Sequence, residues 1–205
     1  ILLLASYGLL LHGGGRLRVK AGLHFVVINL AGSTLFLFAV ATLYGVTGTL
    51  NMADLAVKLA RTPPENLALV ETAGLLLFGV FALKAALLPL HLWLPAAYAH
   101  TSAPVAALFA IMTKVGAYSI LRVVSLMFGA DAGPVANLLA DWLMPLALVT
   151  LAIGMLGAIA ATALRQQIAY LVIASVGTLL AAFALASVDG LPAGHYYLPH
   201  SVLAT

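Results

Sequence analysis

The sequence predicts an all-α polytopic membrane protein, from its composition and from a recurring length of apolar segment. Hydrophobic residues make up 64% of the 205 residues and charged residues only 7%, whereas a water-soluble domain carries about 25% charged residues. Because so few charges cannot cover a globule in water, the apolar surface is expected to face lipid. The net charge of +3 is small and scattered, which argues against nucleic-acid binding.

Apolar segments long enough to cross a bilayer as helices, about 20 residues each, recur along the chain. They predict five complete spans, at 23–45, 67–88, 104–128, 142–164 and 168–188. Two shorter segments, 1–11 and 194–205, have the composition of half-spans. We therefore expect five full and two partial spans, with both ends cut from a longer membrane domain.

The charges between the spans predict an orientation. Counting spans places the basic loop 16–20, the turn near His100 and Arg165 on one side of the membrane. The acidic residues of the opposite side are Asp131, Asp141 and Asp189. Cytoplasmic loops are rich in lysine and arginine, so the loop 16–20 is predicted to be cytoplasmic. Residues 54–61, short and of mixed sign, are predicted to form a surface helix on the other side.

Two lysines stand inside consecutive spans. Lys84 lies 17 residues into its span and Lys114 lies 10 residues after Pro104, so at about 1.5 Å per residue both reach the hydrocarbon interior. A charge there costs at least ~2.5–3.5 kcal/mol, and lysine, unlike arginine, can release its proton when it is desolvated. Both are therefore candidate proton-transfer residues. The alternative is a pair of structural lysines, each held by a carboxylate and never titrating.

Prolines predict a helix break beside the first of these lysines. Pro89 removes a helix hydrogen bond near Ala85, and Pro95 is predicted to end the segment that follows. A broken helix beside an ionisable residue is typical of transporter ion sites. His91 and His100 flank the break, and histidine titrates near physiological pH, so both are candidate proton-transfer residues. The alternative is that both only bind water or carbonyl groups at the membrane interface.

The other polar residues carry weaker signals. Asn29 either holds water in the bundle or serves helix packing, and Ser175 is expected to serve packing, as are the small residues Gly154 and Gly177. The chain has no cysteine, no glycine-rich strand-to-helix turn and no histidine spacing suited to zinc. The sequence therefore indicates no cofactor, nucleotide or metal site.

One long ordered pattern resembles a known family. FALKAALLPLHLWLPAAYAHTSAP, followed by IMTKVGAYSILR, resembles the proton-conducting antiporter-like subunits. This family includes subunits of Mrp-type multisubunit cation/proton antiporters and the homologous membrane-arm subunits of NADH:quinone oxidoreductase. The stretches LLLASYGLLLHGGG and YYLPHS are most similar to the D-type subunits of Mrp antiporters. The resemblance implies that residues 1–205 are the central part of a proton-conducting domain of roughly fourteen spans, built as an inverted repeat with a broken helix near Pro89.

The resemblance also implies residue roles, along a hydrated axis of charged groups. Lys84 matches a seventh-span lysine that pairs with a fifth-span glutamate, expected just upstream of Ile1. Lys114 matches an eighth-span lysine, His100 the histidine of the broken-helix turn, and His200 an eleventh-span histidine, which adds His200 to the proton-transfer candidates.

The implied function is a subunit of a Na⁺/H⁺ antiporter that carries protons along a hydrated lysine path, without catalytic chemistry of its own. Its implied partners are other membrane subunits, lipid, protons and Na⁺, in the cell inner (plasma) membrane. The first alternative is a proton-pumping membrane-arm subunit of NADH:quinone oxidoreductase. Others are a receptor with a lysine Schiff base and a structural subunit with inert lysines.

Overall fold

The computed structural model describes residues 2–185 and 190–203, and over these ranges the chain is a bundle of helices. In chain order they are α1 (Leu2–Leu11), α2 (Arg16–Thr47), α3 (Met52–Leu59), α4 (Leu67–Ala85), α5 (Trp93–Ala99), α6 (Ala103–Arg122), α7 (Ala140–Ala160), α8 (Leu164–Ala184) and α9 (Gly190–Leu203). Short 3₁₀ turns occupy Pro64–Asn66, Leu90–Leu92 and Gly133–Val135, and a π-turn occupies Val123–Met127. The predicted all-α class is confirmed.

Five helical segments are long and apolar enough to cross a membrane. They are Arg16–Thr47, Pro64–Ala99, Ala103–Met127, Gly133–Ala160 and Leu164–Ala184. These match the five spans predicted from the sequence, with shifted ends; the predicted end of the last span, Val188, lies outside the described residues. Helices α1 and α9 occupy the positions of the two predicted half-spans.

The predicted cytoplasmic loop 16–20 is not a loop, because α2 already begins at Arg16. The turn from α1 is completed within Gly13, Gly14 and Gly15, which have φ values of 94°, 64° and 97°. Glycine adopts this left-handed region without steric cost, so the four residues between α1 and α2 suffice to reverse the chain. The basic residues that follow are good helix formers and extend α2 beyond the apolar span.

Helices α7 and α8 pack with their backbones in contact. A Cβ atom added at Gly154 would lie 2.5 Å from the Ala174 nitrogen, and one added at Gly177 would lie 2.6 Å from the Leu151 nitrogen. The predicted packing role of both glycines is confirmed. On the other side of the bundle α4 packs between α2 and α6, while α8 also contacts α5, α6 and α9.

The groups predicted to share one side of the membrane lie at one end of the bundle. At one end the Arg18 Nε donates to the His100 carbonyl (2.7 Å) and the Arg165 guanidinium donates to the Thr101 carbonyl (3.0 Å). At the opposite end a Cβ on Gly133 would lie 2.6 Å from the Ala60 carbonyl oxygen, so the segments 50–66 and 129–141 meet there. The predicted surface helix is α3, and Asp189 lies outside the described residues.

Candidate functional site

The predicted helix break is present, and α4 ends at Ala85. Pro89 has no N–H to donate to the Ala85 carbonyl, and its ring cannot follow a helical turn. Ala86 turns the chain with a left-handed φ of 57°, and the Leu87 N–H closes the helix end by donating to the Ala82 carbonyl (2.9 Å). The peptide bond before Pro89 is cis.

Pro95 does not end the segment after the break, contrary to the prediction. It lies in the first turn of α5, which continues to Ala99. The first N–H groups of a helix have no acceptor inside the helix, so proline is tolerated there. Helix α5 ends at the residue before His100, where the chain turns into α6.

Side chains from two other elements bind the backbone groups exposed by the break. The Trp93 Nε1–H donates to the Leu83 carbonyl (3.0 Å), and the Leu88 N–H donates to the Thr150 hydroxyl oxygen (3.0 Å). Trp93 and Thr150 are both buried. A freed backbone group at membrane depth requires such a partner, so the break is held by specific contacts.

Lys84 occupies the last turn of α4 and binds a neutral amide. Its Nζ donates to the Asn29 Oδ1 (2.6 Å), and the Asn29 side-chain amide donates to the Phe25 carbonyl (2.9 Å). Asn29 is 0% exposed. It lies 11 residues after Arg18 on α2, which at 1.5 Å per residue is about 16 Å. Half of a 30 Å hydrocarbon layer is about 15 Å, so a membrane whose edge lay at Arg18 would have Lys84 near its middle.

Lys114 is 2% exposed and binds a hydroxyl group. Its Nζ donates to the Ser175 Oγ, which also accepts a hydrogen bond from the Tyr197 hydroxyl (3.0 Å). The Lys114 Nζ lies 5.8 Å from the centre of the Tyr197 ring, within the range of a cation–π contact. Ser175 lies 10 residues after Arg165 on α8, or about 15 Å. The partners of the two lysines thus lie at similar distances along their helices from Arg18 and Arg165.

Gly116 brings the helix break against α6. A Cβ atom at this position would lie 2.6 Å from the Ala85 nitrogen and 2.9 Å from the Lys84 carbonyl carbon. Only glycine allows this approach of the two backbones. Two hydrogen-bonded pairs thus lie on either side of this backbone contact; they are Asn29 with Lys84, and Lys114 with Ser175.

Within residues 2–185 and 190–203, the only salt bridge joins Lys58 and Asp54 on α3 (3.0 Å). Both membrane lysines are thus bound to neutral oxygen atoms there. An amide or hydroxyl oxygen accepts a hydrogen bond from a charged ammonium and from a neutral amine alike. Neither of these partners carries a negative charge.

The histidines occupy three separate positions. His91 is 8% exposed, and its Nδ1 has no hydrogen-bond partner among the described residues. The His100 Nδ1 lies 2.9 Å from the Ala96 carbonyl oxygen. His200 lines a cavity of about 380 Å³ together with Ser175 and Tyr197. The structure thus brings His200 to the Lys114 site, and no described hydrogen bond joins His91 or His100 to either lysine.

Comparison with known proteins identifies the family. The transmembrane family of NADH:quinone oxidoreductase and Mrp antiporter subunits matches residues 1–203. The chain belongs to this family. The resemblance read from the lysine, proline and histidine pattern is therefore confirmed.

Curated members of the antiporter family are similar over almost the whole chain. It is 49% identical to the D-type subunit of a probable K⁺/H⁺ antiporter of Rhizobium meliloti (strain 1021), over 99% of this chain and 38% of that protein. It is 38% identical to the D-type subunit of the Na⁺/H⁺ antiporter of Bacillus subtilis (strain 168), over 99% of this chain and 40% of that protein. The chain spans about two fifths of the length of these relatives.

Solved structures share the fold. The Mrp complex from Dietzia sp. DQ12-45-1b superposes with a TM-score of 0.84 at 34% identity, over 98% of this chain and 36% of the matched chain. Respiratory complex I from Thermus thermophilus superposes with a TM-score of 0.79 at 26% identity, over 98% of this chain and 42% of the matched chain. The bundle with a broken helix is thus the antiporter-family fold.

Sequence reasoning missed several residues of this antiporter-family site. It left Asn29 undecided, assigned Ser175 to packing, and gave no role to Gly116 or Thr150. One signal was available: Ser175 stands 10 residues after Arg165, as Lys114 stands 10 residues after Pro104. Gly116 and Thr150 carry no comparable signal, because glycine and threonine are common wherever membrane helices pack.

Proposed function

We propose that residues 1–205 form the central part of a D-type subunit of a multisubunit monovalent cation/proton antiporter, in which protons pass between Lys84 and Lys114. The observation that carries this proposal is the position of the two lysines. They stand on either side of a close backbone contact at mid-membrane, and each is bound to a neutral oxygen. Burying two lysines in an apolar bundle costs free energy. Proton transfer along the membrane plane would explain why the bundle contains them.

The proposed path has one movable step and one exit. Lys84 alternates between a charged, paired state and a state from which its proton moves through water to Lys114. A change of about 1.4 kcal/mol in this pairing alters the proton equilibrium tenfold, so a small movement of the break reverses the direction of transfer. Beyond Lys114, the cavity at Ser175 leads towards His200.

The other two histidines have proposed roles at the predicted cytoplasmic end. His100 passes protons between that end and the two lysines. The Nδ1 of His91, which has no hydrogen-bond partner among the described residues, makes His91 a second proton relay. The complex lies in the cell inner (plasma) membrane. The end of the bundle that carries Arg18 and Arg165 faces the cytoplasm, in line with the positive-inside rule. Other membrane subunits complete the complex.

Substitution of the lysines in the complete complex tests this function. We expect Lys84→Ala and Lys114→Ala each to lower ΔpH-driven Na⁺ or K⁺ transport in membrane vesicles by about tenfold or more. Lys58→Ala is the matched control, because Lys58 is an exposed lysine that pairs with Asp54 on the surface helix α3. Normal transport by an assembled Lys84→Ala complex would reject the proposal. Separate assays with Na⁺ and with K⁺ identify the cation.

A redox-driven proton pump is the second candidate, supported by the superposition on respiratory complex I. It uses the same lysine row but takes its energy from quinone reduction in other subunits. Purification of the complex from native membranes separates the two candidates. Co-purification of cation-antiporter subunits supports the first function, and co-purification of quinone-reducing subunits supports the second.

A further inference from the structure

We propose that Thr150 is a positioning residue that couples the helix break beside Lys84 to Ser175, the partner of Lys114. This inference rests on the proposed function and extends it to α7, which contributes no group to the lysine row. Through Thr150, movement at the break reaches the second lysine by a route separate from the direct contact at Gly116.

The hydroxyl of Thr150 has a fixed orientation. It is 0% exposed, and its O–H donates to the Leu146 carbonyl one turn earlier on α7 (2.6 Å). Because its single proton is used there, its oxygen is available as an acceptor, and the Leu88 N–H donates to it (3.0 Å). Leu88 stands four residues after Lys84, in the non-helical stretch of the break. One side chain thus ties the break to α7.

The backbones of α7 and α8 are in contact beside Thr150 and beside Ser175. A Cβ on Gly177 would lie 2.6 Å from the nitrogen of Leu151, the residue after Thr150. A Cβ on Gly154 would lie 2.5 Å from the nitrogen of Ala174, the residue before Ser175. With their backbones in contact beside both hydroxyls, the two helices resist independent movement, because packed interiors deform little.

The chain of contacts therefore runs from the break through Thr150, across the α7–α8 pair, to Ser175 and Lys114. A shift of the break that changes the pairing of Lys84 pulls on Leu88 and, through Thr150, on the serine that binds Lys114. The two lysines then change partners together. Transfer between two amines requires this, because one must become the better donor as the other becomes the better acceptor.

Hydroxyl substitution in the complete complex tests the coupling. Thr150→Val removes the acceptor for Leu88, and we expect it to lower ΔpH-driven transport by about tenfold at normal assembly, while Thr150→Ser retains transport. Thr178→Val is the control for loss of a threonine hydroxyl elsewhere in the α7–α8 pair, since the Thr178 hydroxyl donates to the Ala174 carbonyl of its own helix (3.1 Å). Hydrogen exchange of peptides covering residues 84–92 should be faster in Thr150→Val than in Thr150→Ser.

A double substitution separates coupling from a local effect. If Thr150 acts through Ser175, the double variant Thr150→Val/Ser175→Ala transports as fast as the less active of the two single variants. If the two sites act independently, the fold-loss of transport in the double variant is the product of the two single fold-losses. Multiplied losses, unchanged exchange at residues 84–92, or no rescue by Thr150→Ser would overturn the coupling. If Thr150→Val does not assemble, Thr150→Cys replaces it, since its thiol accepts hydrogen bonds weakly. Failure of both to assemble would assign Thr150 to folding alone and overturn the proposal.

Lys84→Ala, measured beside these variants, distinguishes failure of the proposed function from failure of the coupling. Full transport by Lys84→Ala rejects the proposed function itself. Loss of transport in Lys84→Ala together with normal transport in Thr150→Val rejects only the coupling.

Discussion

Replacing Gly116 by alanine would push α6 against the helix break. The new Cβ would lie 2.6 Å from the Ala85 nitrogen, so the backbones must separate by about 0.8 Å to reach the 3.4 Å of ordinary contact. Forcing a methyl group into a packed interior costs about 1–3 kcal/mol. Because α4 lies between α6 and α2, it would move towards α2, and the Lys84 Nζ, already 2.6 Å from the Asn29 Oδ1, could not keep that hydrogen bond in its present geometry.

The functional loss follows from that hydrogen bond. A hydrogen bond to a charged group contributes about 1.5–3 kcal/mol, a factor of roughly 10–150 in an equilibrium. We therefore expect ΔpH-driven cation transport by the Gly116→Ala complex to fall by about tenfold or more when rates are normalised to assembled complex.

Gly79→Ala is the matched control for this substitution. Gly79 lies on α4, and a Cβ there meets no atom within 4 Å, so alanine adds only helix propensity, about 1 kcal/mol in favour of the helix. Normal transport in Gly116→Ala, or an equal loss in Gly79→Ala, would refute the reasoning about the backbone contact.

Two further predictions concern stability of the purified complex. Trp93→Phe removes the donor to the Leu83 carbonyl and should cost about 0.5–1.5 kcal/mol, whereas Trp93→Ala also leaves a cavity and should cost about 3–5 kcal/mol; thermal melts that rank the two variants equally would contradict this. Hydrogen bonds from Lys58 and Thr49 lower the pKa of Asp54 below its ordinary 3.8. The charged carboxylate therefore stabilises the fold above that pH, and the contribution is lost as the pH falls through the lowered pKa. The melting temperatures of wild type and Asp54→Asn should differ slightly at neutral pH and converge in acid, and a difference that persists below the lowered pKa would contradict the assignment.

Local features of the sequence were sufficient for the membrane class, the five spans and the helix break. The apolar composition of a helix is enough to predict that it lies in lipid, whatever it packs against. Proline interrupts a helix through its own ring, without any tertiary contact. The errors were also local. The run of glycines at 13–15 completes its turn early enough for Arg16 to begin a helix, and Pro95 falls in a first turn, where proline is tolerated.

The partners of the two lysines depend on the tertiary structure alone. Asn29 stands 55 residues before Lys84, and Ser175 stands 61 residues after Lys114. A buried asparagine or serine has the same local pattern whether it packs, holds water or binds an amine. The sequence therefore determined that two lysines stand within consecutive apolar spans. Only the packing of α2, α6 and α8 around the break decided that neutral oxygens bind them, because that depends on which helix faces meet.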